Sequence, residues 1–380
     1  MKYDAIVVGA GPSGSASAYF LAEEGLSVLV LERENLPRPK LCAGALPPAV
    51  EELLGFGIKD AVEDEVREVT WIWRADRTTW RYVEPVLYTV MRDKFDLLLV
   101  ERAKAAGAEV VDGEEVVSLE EGREEVSVRT RAKVYRCKFL VGADGAGSVV
   151  AKYVGSSNPE RTVRTAEAEI SVPYEFLKAC EGRATVEFRA VPKGYGWIFP
   201  KADHLSVGVG GLRLRRAREH LKAFAGRRLP TPAYREVGTW AYPVWGARRR
   251  WARGRVLLVG DAGAFANPLT GAGIYTGIWS GLLASRAISK AISGGSLEEM
   301  YTEMILGEIS PELSAARNLS IIYAIPGPAF VALKLGLLRG SFLKRSYSDI
   351  WRYISLGITS LRPSNIPSPP SPAPRTPRTI

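Results

Sequence analysis

The chain is 380 residues long, 46% hydrophobic and 24% charged, with a net charge of +9. That length allows a large core, most simply in two interleaved domains, and the composition excludes a disordered or fibrous chain. The basic balance suits an anionic partner or surface, and equally the arginine-rich surface of a protein from a hot environment; the latter also accounts for a sequence without glutamine.

Met1-Lys2-Tyr3-Asp4 enters the first strand with no signal-peptide pattern, which predicts an intracellular chain. Ala5 to Val8 is a short apolar run, Gly9-Ala10-Gly11-Pro12-Ser13-Gly14 follows at once, and Ser15 to Glu24 reads as a helix closed by Gly25. A second apolar run, Val28 to Leu31, ends on Glu32. In such a strand, turn, helix, strand unit Gly9 allows a sharp turn, Gly11 the close approach of a pyrophosphate, and Gly14 tight helix packing. The helix start presents unpaired N–H groups to phosphate, while Glu32 suits a ribose hydroxyl and repels a 2′-phosphate. The ligand expected from these residues is therefore FAD or NAD, not NADP.

The segment Arg33 to Ala45 carries too many prolines and charges for a helix and reads as a loop around Cys42, a buried small hydrophobe or a functional thiol in an electropositive setting. Trp71-Ile72-Trp73 and Thr78 to Val83 read as strands outside the first domain. Asp93 is expected to cap a helix from Lys94 to Ala105, with Phe95, Leu98, Leu99 and Ala103 on one face and Gly107 as its stop. Arg92, just before it, is a surface charge or a cofactor contact. Strands are predicted at Glu109 to Val111, Glu114 to Ser118, Val126 to Arg131 and Lys133 to Phe139, the last three as an antiparallel meander. Phe139 to Gly145 is a buried strand ending in Asp144-Gly145, after which small residues keep the chain in a loop.

A second sheet is predicted from Ala166 to about Leu214. In Pro192-Lys193-Gly194-Tyr195-Gly196-Trp197-Ile198-Phe199-Pro200-Lys201 the residues Tyr195, Trp197 and Phe199 alternate, so they share one strand face. Such a face suits a packed core or the wall of an apolar cavity; Gly194 and Gly196, which leave no side chains opposite, favour the cavity. Arg255 to Gly263 is another buried strand with Asp261 at its end, and Asn267 to Ile274 forms a second glycine turn leading into a helix to Ile292. Two turns, each with its own helix start, call for a ligand longer than one nucleotide, which selects FAD. Cys42, Cys137 and Cys180, with His204 and His220, are too scattered for a metal site; pairing of the cysteines stays open, because hyperthermophile proteins do use intracellular disulfides. Ile321 to Leu338 is apolar but interrupted by Pro326, Gly327 and Pro328, which argues for a lid or a segment at a bilayer surface, with Arg339, Lys344 and Arg345 beside it, and against a membrane span. The tail from Arg362 reads as disordered.

With these motifs in place, the chain resembles, over nearly all of residues 1–300, the FAD-dependent family that includes para-hydroxybenzoate hydroxylase, squalene epoxidase and geranylgeranyl reductases. Pro37 to Gly44 and Tyr195 to Lys201 resemble the signatures of geranylgeranyl reductases, in particular the archaeal enzymes that saturate digeranylgeranylglycerophospholipids. The resemblance implies an α/β fold, α+β overall: a discontinuous Rossmann-like FAD domain (residues 1–70, 91–165 and 250–300), an interleaved antiparallel sheet domain for substrate (71–90 and 166–249), a C-terminal helical or lid region (301–361) and a tail (362–380). It implies FAD contacts at Gly9, Gly11, Ser13, Gly14, Glu32, Cys42, Ala43, Ala45, Arg92, Val116, Asp261, Gly273 and Ile274. Many relatives carry an acid between the glycines of the later turn, where this chain has Ala272, which leaves the exact substrate open.

The reaction so implied is hydride transfer from reduced flavin to one carbon of a prenyl double bond, with a proton delivered to the other. An isolated alkene accepts hydride poorly, so a tight apolar tunnel is required, walled by Tyr195, Trp197 and Phe199. Cys42, Tyr195 or an ordered water are the proton-donor candidates; Cys42 and Tyr195, with the tunnel residue Trp197, are the expected catalytic residues. Gly208 to Gly211 lacks the helix and acid of a second dinucleotide site, so reduced ferredoxin, a deazaflavin or visiting NAD(P)H are the candidate electron donors. The partners expected are a prenyl lipid, one of these donors and no nucleic acid; the location is cytoplasmic, with peripheral contact at the inner membrane face. A monooxygenase or epoxidase on the same fold, and a non-catalytic prenyl-binding protein, are the alternatives.

Overall fold

The computed structural model describes residues 2–156, 161–246 and 249–320. Its first sheet is built from the short apolar runs. Strands Lys2–Val8, Val28–Leu31, Glu109–Val111, Val134–Gly142 and Val256–Leu258 pair in parallel, in the spatial order Val256–Leu258, Val134–Gly142, Lys2–Val8, Val28–Leu31, Glu109–Val111. Both faces of the central runs, Ala5 to Val8 and Val28 to Leu31, are buried. Ala5, Val7, Val28 and Val30 pack under the helices Pro12–Glu23 and Ile274–Ile292, while Ile6, Val8, Leu29 and Leu31 meet Val126, Val128 and Val150 on the other side. That is why the runs are continuously apolar and do not alternate. Each large aliphatic side chain buried this way contributes about 1.5–3 kcal/mol.

Register brings the functional turns together. Val8 pairs with Leu31 and Gly142, Gly142 with Leu258, and Leu31 with Val111. The carboxyl ends of the parallel strands therefore form one row, and the chain leaves it at Gly9, Glu32, Ala143 and Val259. In open parallel sheets this row is where ligands bind.

The antiparallel meander is present, as Val116–Glu121, Val126–Thr130 and Val134–Gly142. The first helix starts earlier than expected, at Pro12, because proline at the first helical position loses no intrahelical bond. The expected cap at Asp93 is not made. The helix is Arg92–Ala105 with Met91 before it, and Asp93 lies inside the first turn, where its charge faces the positive end of the helix dipole. As expected, Asp144 closes no hairpin. Its carboxylate accepts from the N–H groups of Val149 (2.6 Å) and Val150 (3.3 Å) and from Ser148 Oγ, so it ties down the start of the helix Val149–Val154.

The second sheet has the strand order Ala233–Pro243, Thr162–Ser171, Leu205–Leu212, Gly194–Pro200, Arg183–Phe188, Glu68–Trp73, Asp76–Arg81, antiparallel except between Arg183–Phe188 and Glu68–Trp73. One face packs Ile198, Val207 and Val209 against Phe224 of the helix Ala217–Arg228. The other gathers Trp197 and Phe199 with Trp71, Trp80 and Phe188. A small third sheet, Ala45–Leu46, Leu87–Val90 and Val62–Val66, follows the Cys42 loop. Ile321 to Leu338 and the tail from Arg362 lie outside the described residues. Among those described, no helix is long and apolar enough to cross a membrane.

Candidate functional site

Two glycine turns meet at one place. Gly9 leaves its strand at φ +101°, and a Cβ there would stand 2.6 Å from the Ala143 carbonyl oxygen. A Cβ on Gly14 would penetrate the Gly9 carbonyl oxygen, so the helix start is drawn against the strand end only because both residues are glycine. Gly11 differs: its nearest atom to such a Cβ is Arg38 Nη2, at 3.7 Å, so this side of the turn lies open. The hydroxyl of Ser13 turns away from that opening and nests against Gly260 and Gly277, where any Cβ would collide with it. Ser13 thereby couples the first turn to the start of the helix Ile274–Ile292.

Glu32 is 4% exposed. Its Oε2 accepts from the Ala10 N–H (2.7 Å) and its Oε1 from the Glu34 N–H (3.1 Å). Backbone donors thus hold the acid beside the turn. Arg38 Nη2 lies 3.5 Å from Glu32 Oε2, and its Nη1 lies 3.5 Å from Asp96, which in turn holds Arg92 through two hydrogen bonds of 2.7 and 2.8 Å. Arg38 and Asp96 were not singled out from the sequence: a proline-flanked arginine in a loop carries no signal that it will span 58 residues to Asp96 and sit above Gly11. Arg92 is buried; burial works against its charge, but Asp96 and the Cys42 sulfur beside it raise its pKa, so the guanidinium stays charged.

The Cys42 loop is pinned by Lys201, whose Nζ donates to the carbonyls of Ala43 (3.0 Å) and Val90 (2.7 Å). Cys42 is half-buried, and its sulfur accepts from the Gly44 N–H at 3.5 Å. Ala43 and Ala45 pack against the aromatic cluster. Lys40 stands over the Trp240 ring, 5.1 Å from its centre. Burial pushes its pKa down and the Arg92 charge adds to this, while Asp261 and Cys42 draw it back. Asp261 is raised by burial and held down by Lys40 and Arg92, and a Cβ on Gly273 would stand 3.4 Å from its Oδ1. Ile274 begins the second helix and packs toward Leu46 and Ile278.

The sheet domain supports the second turn. The Tyr195 hydroxyl donates to the Thr270 carbonyl, and a Cβ on Gly271 would stand 2.7 Å from the Tyr242 hydroxyl and 3.1 Å from that of Tyr195. The Tyr195 proton is thus committed to a backbone acceptor. Trp197 and Phe199 are buried, Trp197 with its ring over Gly208. The expectation that Gly194 and Gly196 leave the opposite face open is corrected: a Cβ on Gly196 would stand 2.8 Å from the Phe224 ring of the helix packed behind it, and one on Gly194 would stand 2.7 Å from Gly211 Cα on the neighbouring strand. Val116 places its side chain in the core on the sheet face away from the helix Pro12–Glu23. The link from this segment to Glu32 is made two residues earlier, where the Glu114 N–H donates to the Glu32 carbonyl at 2.8 Å.

The residues present fit FAD. An open turn facing a helix start, a backbone-held acid at the next strand end, cations at Arg38, Arg92 and Lys40, and a second turn coupled through Ser13 match a ligand with a ribose, a pyrophosphate and a further ring system. Replacing Glu32 by Ala should weaken FAD by about 1–3 kcal/mol, the scale of a lost charge-assisted bond, and should also free the Ala10 N–H. Titration of the apoprotein with FAD, followed by flavin fluorescence, checks this; an unchanged affinity would remove Glu32 from the site. Cys42, Cys137 and Cys180 are free thiols, and no group of metal-ligating side chains occurs among the described residues.

A family model described as an FAD binding domain matches residues 2–302. The chain is 33% identical over 315 residues to the digeranylgeranylglycerophospholipid reductase of Methanocaldococcus jannaschii, covering 76% of this chain and 78% of that one. It is 32% identical over 330 residues to a chloroplastic geranylgeranyl diphosphate reductase of Oryza sativa subsp. japonica, covering 80% and 70%. A crystal structure of a geranylgeranyl bacteriochlorophyll reductase-like protein from Thermoplasma acidophilum shares the fold, with a TM-score of 0.76, 22% identity and coverage of 85% and 88%. The motif at the first turn, the fold that carries it and these relatives agree: the chain belongs to the geranylgeranyl reductase family of FAD-binding oxidoreductases.

Proposed function

We propose that the protein is an FAD-dependent reductase that saturates isoprenoid double bonds, in the geranylgeranyl chains of archaeal-type membrane lipids or related prenyl compounds. The observation that carries this reading is the convergence of both glycine turns, the Cys42 loop and the aromatic sheet face on one edge of the parallel sheet, in a chain whose relatives are named for this reduction. When bound and reduced, FAD supplies the hydride. The start of the helix Pro12–Glu23 and Arg38 bind and neutralise the pyrophosphate, Glu32 orients the ribose, and Asp261 with Gly273 and Ile274 holds the far end. Trp197, Phe199 and the small residues Ala43 and Ala45 exclude water and present apolar surface to a prenyl chain. Arg92 keeps a fixed positive charge beside the Cys42 sulfur. Ferredoxin, a deazaflavin or NAD(P)H is the electron donor under this proposal. The location is the cytoplasm, with the lipid met at the membrane surface.

The test is mass spectrometry of a digeranylgeranylglycerophospholipid incubated with the chemically reduced protein. A mass gain of two hydrogens per double bond is expected, and an unchanged lipid would overturn the reading. Oxygen uptake coupled to lipid would favour the monooxygenase alternative. Cys42→Ala should keep its flavin and lower turnover by roughly 10-fold, the scale of a disturbed alignment. Unchanged alkene reduction in that variant would reduce Cys42 to a packing role.

A further inference from the structure

A row of acids crosses the inner face of the second sheet. Glu167 pairs with Gly238 on one neighbouring strand and with Gly208 on the other. Directly opposed residues of an antiparallel sheet share a face, so the side chain of Glu167 stands between two gaps. Both gaps are filled from above. A Cβ on Gly238 would stand 2.8 Å from Leu41 Cδ2, and one on Gly208 would collide with the Trp197 indole. The Glu167 carboxyl therefore projects between Leu41, next to Cys42, and Trp197. It is 6% exposed, and its Oε1 has no hydrogen-bond partner.

Ionisable groups lead from this carboxyl toward solvent. Glu169 lies two residues along on the same face and is also buried. His204 Nε2 is 3.0 Å from Glu169 Oε2, an ion-pair approach in which neither atom makes a hydrogen bond, and His204 Nδ1 is hydrogen-bonded to Asp203 Oδ1 at 2.6 Å. The Asp203 side chain is 68% exposed and pairs with Arg235 at 2.8 Å.

We infer that Glu167 is the proton donor for alkene saturation, recharged from solvent through Asp203, His204 and Glu169. The inference rests on the reductase reading above. In the step, the alkene π bond breaks and one carbon takes the hydride of the reductant, reduced flavin. The other carbon takes the proton of the Glu167 carboxyl, whose O–H electron pair stays on oxygen as the carboxylate. A solvent proton then restores the acid.

The surroundings keep this carboxyl neutral at the working pH. Burial and the charge of Glu169 raise its pKa to about 8, against the opposing pull of Lys201, Arg92 and the Ser206 hydroxyl; the Tyr242 hydroxyl also faces it. Burial works against a charge on His204, but Glu169 and Asp203 outweigh it and raise its pKa, and Asp203 is lowered to about 2 by His204 and Arg235. Because the donor works only when protonated, the rate should fall as pH rises through about 8.

Two measurements on the holoenzyme test this. Infrared difference spectra across a pH titration should show a buried protonated carboxyl that titrates near pH 8 and is missing in Glu167→Gln. Single turnover of the chemically reduced enzyme with a digeranylgeranylglycerophospholipid should slow by about 100-fold or more in Glu167→Gln, with FAD content and melting temperature retained and the alkaline limb of the pH profile lost. His204→Phe should leave the first turnover fast and slow the later ones. No such infrared band, or a Glu167→Gln enzyme with wild-type single-turnover rate and pH profile, would overturn the donor. A wild type that shows the band but reduces no lipid would overturn the reductase reading and the donor role with it.

Discussion

Gly14→Ala should yield a colourless, destabilised protein. The added methyl group would penetrate the carbonyl oxygen of Gly9 and stand 3.0 Å from Ala143 Cβ. Gly9 cannot retreat, because its own α-carbon already faces the Ala143 carbonyl, with room for no more than a hydrogen. Relief is left only to the helix Pro12–Glu23, which must move off the strand end. That motion would drag Ser13 out of its nest against Gly260 and Gly277 and so disturb the second turn as well. Overpacking at a rigid backbone contact costs about 1–3 kcal/mol of stability. The loss of FAD should be larger, at least about 100-fold in affinity, equivalent to about 2.7 kcal/mol, because both helix starts shift relative to each other. Thermal melts and FAD titration of the variant decide it. Wild-type affinity would show that the turn does not carry the cofactor.

Trp197→Ala should be the most damaging change in the sheet domain. The indole is 5% exposed, covers Gly208 and lies 5.7 Å from the Tyr195 ring, centre to centre. Deleting a buried tryptophan costs about 3–5 kcal/mol, and the space left above Gly208 has no side chain beneath it to fill in. A fall in melting temperature of several degrees is therefore expected with FAD spectra retained. If the aromatic face also walls the lipid chain, the number or position of the double bonds reduced will change in the same variant. A destabilised enzyme with unaltered products would confine Trp197 to packing. The structure shifts the weight of this experiment toward stability, since Phe224 behind Gly196 removes the argument that the strand's other face is open.

Local grammar accounts for what was legible in the chain. The run Ala5 to Val8, the glycine turn, the helix and Glu32 are contiguous, and each is specified by residues within a few positions of it, so the first turn, its cofactor class and the meander after Gly107 could be read directly. The second turn at Asn267 to Ile274 was legible for the same reason, as was the shared face of Tyr195, Trp197 and Phe199, which follows from the two-residue period of a strand. Tertiary structure decided what those pieces meet. Strand register put Gly9, Glu32 and Val259 in one row, with Asp261 just beyond it; helix packing nested Ser13 against Gly260 and Gly277; and the approach of the loop to the sheet set Arg38 between Glu32 and Asp96 and closed Leu41 and Trp197 around Glu167. None of these contacts has a sequence period, because each joins segments brought together only by folding, and an acid in a strand reads as solvent-facing until its two neighbouring strands are known to carry glycine.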